Sequence, residues 1–435
     1  MAKQLMADRI ARLGTENAFK IGVDIRRCEE LGLKPVKLNL GEPDFNSAAA
    51  INERAKKEID AGNSHYCDPQ GLLPFRQTIA KQVSETRGFK VDPEEVVVTP
   101  GAKPPIFYTM MTYVNPGDEV IYPSPGFPIY ESCITFAHAT PVPLHLEEAR
   151  DFRFTAADIE KLITPKTKVI IVNTPSNPTG GVLTKQDLEE IAEVIRAKCD
   201  DAVRLYSDEV YEYIVFGGRK HYSIASLPGM RERTIVVSGH SKTYAMTGWR
   251  LGYAVLPNLE EAQIFKTLNV NIVSCTPPFI QLAGKEAIEN PAVAKVVADM
   301  VRQFEERAKW VVGALNGLSG VSCATPVGAF YVFPNIGGML EKLGALAAYD
   351  SLPAEKKAKT SPSTMFQLFA LYKHSVATMD RNSFGKIGTE GRHFLRLSTA
   401  TSMDLLREGV KRIAAAGSDR KGFADYFTKG EHLGW

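Results

Sequence analysis

Short, unbroken apolar runs recur along the chain: EVVVT (95–99), DEVIYP (118–123), KVIIVN (168–173), AVRLYS (202–207), TIVVS (234–238) and LGYAV (251–255). They lack regular apolar and polar alternation, so each predicts a strand buried on both faces. Between them lie stretches of helical spacing. In TKQDLEEIAEVIRAK (184–198), Thr184 is a candidate N-cap, acids fill the first turns, and Arg196 and Lys198 stand near the end. Strands separated by helices predict an α/β unit with a mainly parallel sheet. The runs end in polar or glycine-bearing residues: Thr99-Pro100-Gly101, Asn173-Thr174, Ser207-Asp208-Glu209 and Ser238-Gly239. Open sheets of this kind collect ligands at the carboxyl ends of their strands. These residues are therefore expected to share one site.

The pattern changes after about residue 320. VSCATPVGAFYVFPNI (321–336), SVATM (375–379) and HFLRLSTAT (393–401) predict strands, and 403–416 predicts a helix. A charged, alanine-rich stretch (341–373) lies between, and its polar segment 351–363 predicts an exposed loop. This mixture predicts a smaller α+β domain of residues 1–47 plus 321–435, beside a large domain of residues 48–320. Residues 1–19 predict an amphipathic helix, with Leu5, Ile10 and Leu13 set among charges. That segment does not have the form of a signal peptide.

Composition narrows the function. A net charge of +2 gives no bulk electrostatic attraction to nucleic acid or a membrane surface, and no apolar stretch has transmembrane length. The six cysteines are scattered without a CxxC pair. This argues against a zinc site or disulfide framework and predicts a cytoplasmic protein with no metal.

The chemistry-bearing residues follow the predicted strands. Lys242, in SGHSK, comes just after one strand, among small or apolar neighbours. A lone lysine is normally solvated, but a lysine in such a site can lose its proton and attack a carbonyl. Arg250 follows eight residues later. In NTPSNPTGG (173–181), two prolines bracket Ser176-Asn177 in a tight loop that can present the Asn177 amide. Asp208 ends an apolar run, where a carboxylate needs either a cation or a helix to cap. TPGAKPP (99–105) opens a proline-initiated helix, so the N–H groups of Ala102 and Lys103 can face an anion.

Taken together, these motifs resemble the class I and II aminotransferases, the aspartate-aminotransferase-like family of fold type I pyridoxal-phosphate enzymes. The resemblance runs in order through LNLGEPDF (38–45), YCDPQGLLPFR (66–76), NPGDEVIYPSPGF (115–127), NTPSNPTGG, SDEVY (207–211), SKTYAMTGWRLGY (241–253), GAFYVFP (328–334) and FLRLSTATS (394–402). It implies pyridoxal 5′-phosphate (PLP) as cofactor, with Lys242 forming its Schiff base and shuttling the substrate's α-proton. It implies Arg250 and the backbone N–H groups of Ala102 and Lys103 at the phosphate. Asp208 would hold the pyridine nitrogen protonated, Asn177 and Tyr211 the ring oxygen, and Phe127 would stack on the ring. Arg396 would clamp the substrate α-carboxylate beneath the loop of Gly41, with Asn177 close by. Tyr66 would reach the phosphate of a neighbouring subunit, so the resemblance also implies a homodimer. The Asn177–Pro178 bond is often cis in this family.

Several positions depart from the commonest pattern. Gly239 stands where many members have a phosphate-binding serine, which Ser238 or Ser241 can replace. Phe127 stands for a tryptophan or tyrosine. TMDRNSFG (378–385) stands where many relatives have a VPG..F loop, which puts Asp380 and Arg381 where residues often approach the substrate. The resemblance implies amino-group transfer from an L-amino acid to a 2-oxo acid. The alternative is another PLP carbanion reaction, β-elimination or decarboxylation. A regulator that has lost catalysis would need a DNA-binding module, and the segment before LNLGEPDF is too short for one. For the donor, Arg381 favours a dicarboxylic amino acid such as aspartate, Glu16 a basic one, and Phe19 with Phe127 an aromatic one.

Overall fold

The computed structural model describes residues 5–14 and 17–430, leaving out the side chains of 17–19. A seven-stranded sheet lies at its centre, formed by β1 (Val96–Thr99), β2 (Glu119–Ser124), β3 (Thr140–His145), β4 (Thr167–Asn173), β5 (Arg204–Asp208), β6 (Thr234–Gly239) and β7 (Gly252–Val255). Their spatial order is β1-β7-β6-β5-β4-β2-β3. β7 runs antiparallel to both of its neighbours, and the other strand pairs are parallel.

The continuous apolar runs are explained by burial on both faces. In β4, Val169 and Ile171 pack into one core cluster while Ile170 and Val172 pack into another. In β6, Ile235 and Val237 face one side and Val236 the other. Successive side chains of a strand point to opposite faces, so each face needs its own apolar residues. β3 was not among the expected strands. Its sequence, TPVPLH, carries Pro141 and Pro143, which normally argue against a strand. It lies at the sheet edge, where one side of the strand needs no ladder donors.

Thr184 caps the helix Lys185–Lys198 through a reciprocal capping box with Asp187, as the spacing predicts. The N-terminal segment differs from expectation. Residues 5–14 hold a single 3-10 turn, Asp8–Arg12, and Leu5, Ile10 and Leu13 are exposed. With its apolar side unburied, so short a helix is not held. An α-helix begins at Asn17 and runs to Glu30.

Beyond residue 320 the strands are shorter than predicted. Tyr331–Val332, Leu395–Ser398 and Met379–Asp380 form a three-stranded antiparallel sheet. Val36–Lys37 pairs in parallel with Val376–Ala377, tying the N-terminal segment to the C-terminal part. The stretch 341–373 carries helices, including Pro362–His374. Its polar part, 351–363, includes the short helix Ala354–Lys357.

Candidate active site

A cavity of about 500 Å³ opens at the carboxyl edge of the large sheet. Because β7 is antiparallel, it begins at the edge where β1 and β6 end: Gly252 pairs with Thr99 on one side and Gly239 on the other. The chain therefore leaves β6, makes one helical turn (His240–Thr243), and returns to the same edge. Lys242 lies on the outgoing turn and Arg250 on the return, so both line one cavity.

Close backbone packing makes this possible. A Cβ on Gly252 would meet Gly101 C at 2.6 Å and Ala102 N at 2.7 Å. A Cβ on Gly101, which has φ +91°, would run into the Arg250 guanidinium. Arg250 itself adopts a left-handed conformation, φ +56°, an arrangement that costs of order 1–2 kcal/mol. Its Nη1 donates to Thr247 O at 2.8 Å and Ser241 Oγ at 3.4 Å. Proline at the first turn starts the helix Pro104–Tyr113, which places Ala102 and Lys103 at its mouth.

On the cavity floor, Asp208 ends β5 and is buried. Its Oδ2 accepts from the Tyr130 hydroxyl at 2.5 Å and its Oδ1 from Val210 N at 3.3 Å. Burial pushes its carboxyl up to about 6, against the opposing pull of the Tyr130 hydrogen bond. The next residue, Glu209, has the opposite fate. It meets Arg87 at 2.6 Å away from this cavity, and that ion pair outweighs burial and holds it well below the carboxylate range.

The wall is formed from the C-terminal part of the chain. Arg396, on the strand Leu395–Ser398, is buried and stacks over Tyr331 at 4.5 Å and Phe384 at 4.9 Å. Its Nη1 donates to Asn177 Oδ1 at 3.1 Å and its Nη2 to Asn39 O at 2.5 Å, while Nε has no hydrogen-bond partner among the described residues. Lys242 Nζ donates to Gly41 O at 2.5 Å. The Tyr211 and Tyr331 hydroxyls share a hydrogen bond of 2.7 Å. Ser241 and Phe127 also line the cavity, and Lys103 Nζ lies 5.5 Å above the Phe127 ring. The Asn177–Pro178 bond is cis.

The sequence matches the family model for class I and II aminotransferases over residues 34–413. The chain belongs to that family. It is 36% identical to aromatic-amino-acid aminotransferase 2 of Thermococcus litoralis, across 89% of this chain and 92% of that one. It is also 36% identical to the aspartate aminotransferase of Pyrococcus abyssi, across 92% and 96%. The crystal structure of the Rhizobium meliloti aspartate aminotransferase superposes with a TM-score of 0.85 at 31% identity, covering 95% of this chain and 99% of that one. The protein is thus an aminotransferase of fold type I, a family that works with PLP.

Two residues expected at the site of this aminotransferase do not line the cavity. Tyr66 is 89% exposed. Arg381 is fully buried and turned into its own loop. Its Nη1 donates to Gly385 O at 2.9 Å and Phe384 O at 3.3 Å, and its Nη2 to Ser124 Oγ at 2.9 Å. The structure does not bring it to the cavity expected to take the substrate: these groups hold the guanidinium, and burial lowers it to about 10. Glu16 and the side chain of Phe19 lie outside the described residues. Conversely, Tyr130, Tyr331, Glu42 and Thr247 line the cavity without having been singled out, and the Thr247 hydroxyl donates to Glu42. Tyr130 carried a signal: it lies three residues after Phe127 at a helix start, a spacing that puts both on one side.

Arg381→Ala should therefore act on stability rather than on choice of donor. Loss of the packed side chain and its hydrogen bonds should lower the unfolding free energy by about 3 kcal/mol in denaturant titrations. Among folded molecules, kcat/KM for aspartate and for phenylalanine should change by the same factor. A selective loss with aspartate would restore Arg381 to the substrate site.

Proposed function

We propose that this aminotransferase binds PLP in the cavity and moves an amino group from an L-amino acid to a 2-oxo acid, with Lys242 as the central catalytic amine. The observation that carries the reading is the convergence of Lys242, Arg250 and Asp208 on one cavity. The residues fit the cofactor's chemistry. The buried Asp208 carboxylate suits a cationic ring nitrogen. Arg250 and the backbone at Ala102 and Lys103 form a cradle for a phosphate, narrowed by glycines that leave no room for a Cβ. When bound, PLP supplies an electron-withdrawing ring that stabilises charge at the amino acid's α-carbon.

The chain's own residues would do the rest. Lys242 Nζ holds the cofactor, takes the proton from the substrate α-carbon and returns it on the other side of the transfer. Asp208 holds the proton on the ring nitrogen. Asn177 and Tyr211 orient the ring oxygen, Phe127 covers a ring face, and Ser241 and Arg250 hold the phosphate. Arg396, next to Gly41, receives the α-carboxylate, for which two parallel N–H bonds give both energy and direction. The division into residues 48–320 and residues 1–47 plus 321–435 agrees with the pairing of Val36–Lys37 with Val376–Ala377.

Borohydride treatment followed by peptide mass mapping tests this reading. The adduct should fall on Lys242 and vanish in Lys242→Ala, with transamination reduced by several orders of magnitude. An adduct on another lysine would overturn the assignment. Wild-type enzyme given an amino acid alone should yield the 2-oxo acid in an amount no greater than that of its cofactor, with release of neither carbon dioxide nor ammonia.

Arg381 does not line the cavity, whereas Lys103 does, with its Nζ 5.5 Å above the Phe127 ring. We assign Lys103 to a side-chain carboxylate, so the donors would include aspartate or glutamate. The name of the Pyrococcus abyssi relative is in keeping with this. Losing such a pair in a partly dry pocket costs roughly 2–5 kcal/mol. Lys103→Met should then lower kcat/KM for aspartate about 30-fold or more and alter that for alanine little. Equal losses for both donors would assign Lys103 to the cofactor instead.

We also propose a homodimer in which Tyr66 serves the partner's cavity. Its exposure supports this, as do the exposed apolar side chains of Leu73, Met111 and Ile272. The free cysteines are in keeping with a reducing, cytoplasmic location. Sedimentation should show a dimer at micromolar concentration. Mixing Lys242→Ala chains with Tyr66→Ala chains should restore activity that neither has alone, and a monomer would end the idea.

A further inference from the structure

Asp208 is buried, and among the described residues no cation is hydrogen-bonded to its carboxylate. From its own strand and the loop after it, Tyr206, Glu209 and Tyr211 are its titratable neighbours. Across the cavity stand Lys103, Lys242, Arg250 and Arg396. Glu209 is taken up by Arg87. Among the described residues, one side chain donates to the Asp208 carboxylate, and it is Tyr130, from the helix Ile129–Phe136.

Tyr130 is itself fully buried, and its ring is braced on two sides. Phe127 meets it edge-on at 5.7 Å and Tyr206 at 6.5 Å. A ring held in this way has little freedom to turn its hydroxyl, so the donor remains aimed at Oδ2. A hydrogen bond to the charged form of a buried acid favours that form. It also fixes the carboxylate plane while leaving lone pairs on both oxygens for another donor.

We propose that Tyr130 is a positioning residue of this aminotransferase: it holds the Asp208 carboxylate ionised and oriented, and through it sets the pH range over which the cavity accepts the cofactor's ring nitrogen. Phe127, on the same turn, makes the ring-covering residue and the nitrogen anchor parts of one braced unit. The inference rests on Asp208 as the partner of that nitrogen, and the experiment separates the two claims.

The readout is the dissociation constant of PLP from the apoenzyme, followed by absorbance or fluorescence titration between pH 5 and 8. In wild type, affinity should fall as the pH drops through the range where Asp208 takes up a proton, near 6 in this structure. Tyr130→Phe removes only the hydroxyl, so the acid gains proton affinity and the midpoint of that fall should move up by about one pH unit. Tyr130→His keeps an N–H donor and should return part of the shift. Asp208→Asn should remove the part of the pH dependence that belongs to this carboxylate, leaving that of the ligand's own phosphate, and Tyr130→Phe should add no shift on top of it. An unmoved midpoint in Tyr130→Phe, or an equal shift in the Asp208→Asn background, overturns the role of Tyr130. If Asp208→Asn binds PLP with wild-type affinity and pH profile, the anchor assignment itself fails. Should Tyr130→Phe not fold, the histidine variant still decides: a midpoint that ignores the change of donor refutes the proposal.

Discussion

Strand β7 lies antiparallel between β1 and β6, and its first residue, Gly252, pairs with Gly239 on one side and Thr99 on the other. The geometry of the cavity depends on this reversal. A parallel crossover would need a dozen or more residues and would end on the far edge of the sheet. The antiparallel return takes the chain from Gly239 to Gly252 along a single edge. Two cations eight residues apart are thereby set against the same space, with the opening of the helix Pro104–Tyr113 beside them. The left-handed Arg250 and the missing Cβ atoms of Gly101 and Gly252 are local consequences of fitting three backbones together.

The same sheet edge separates two neighbouring charges, one at the last residue of β5 and one just past it. Asp208 and Glu209 are neighbours in sequence and both are buried, yet their environments drive them in opposite directions. Glu209 turns to Arg87, which also meets Glu212 at 2.5 Å, while Ser207 and Ser223 donate to the same Glu209 carboxylate. Unpairing such a group inside the fold would cost several kcal/mol, so this cluster fixes the backbone that Asp208 extends. Asp208 has a phenol instead of a cation. Its charge is left unneutralised by its hydrogen bonds, facing the cavity where a cationic ligand group is of use.

Much of this was legible in the sequence because strand ends are marked chemically. Apolar runs that stop at Thr-Pro-Gly, Asn-Thr, Asp-Glu or Ser-Gly locate one sheet edge, and the site residues lie within a few positions of it. What was not legible has two causes. Pro141 and Pro143 hid β3, since a sequence cannot say that a strand is an edge. Arg381 was misplaced because an arginine in a polar loop reads as a free cation. Its guanidinium is instead satisfied by two carbonyls of that same loop and a serine 257 residues away in sequence. Such a partner is invisible until the chain is folded. The same holds for Tyr130, whose spacing from Phe127 was readable but whose hydroxyl acceptor was not.

The cavity draws its lining from different parts of the molecule. The residues that would hold the cofactor come mostly from strand ends whose positions are locked by ladder register and by cores on both faces. The cavity's outer lining comes from segments with looser obligations: Leu40 and Glu42 from the N-terminal strand's continuation, Thr247 from the loop between β6 and β7, and the Lys103 side chain. Within that lining, Leu40, Ile106 and Phe127 offer apolar surface while Lys103 offers a charge. A desolvated charge pair outweighs one or two buried methylenes, so a charge in that lining weighs more than its apolar surface in separating a dicarboxylic donor from an aromatic one. Two relatives of equal identity to this chain carry different substrate names, so overall likeness to them does not fix the donor.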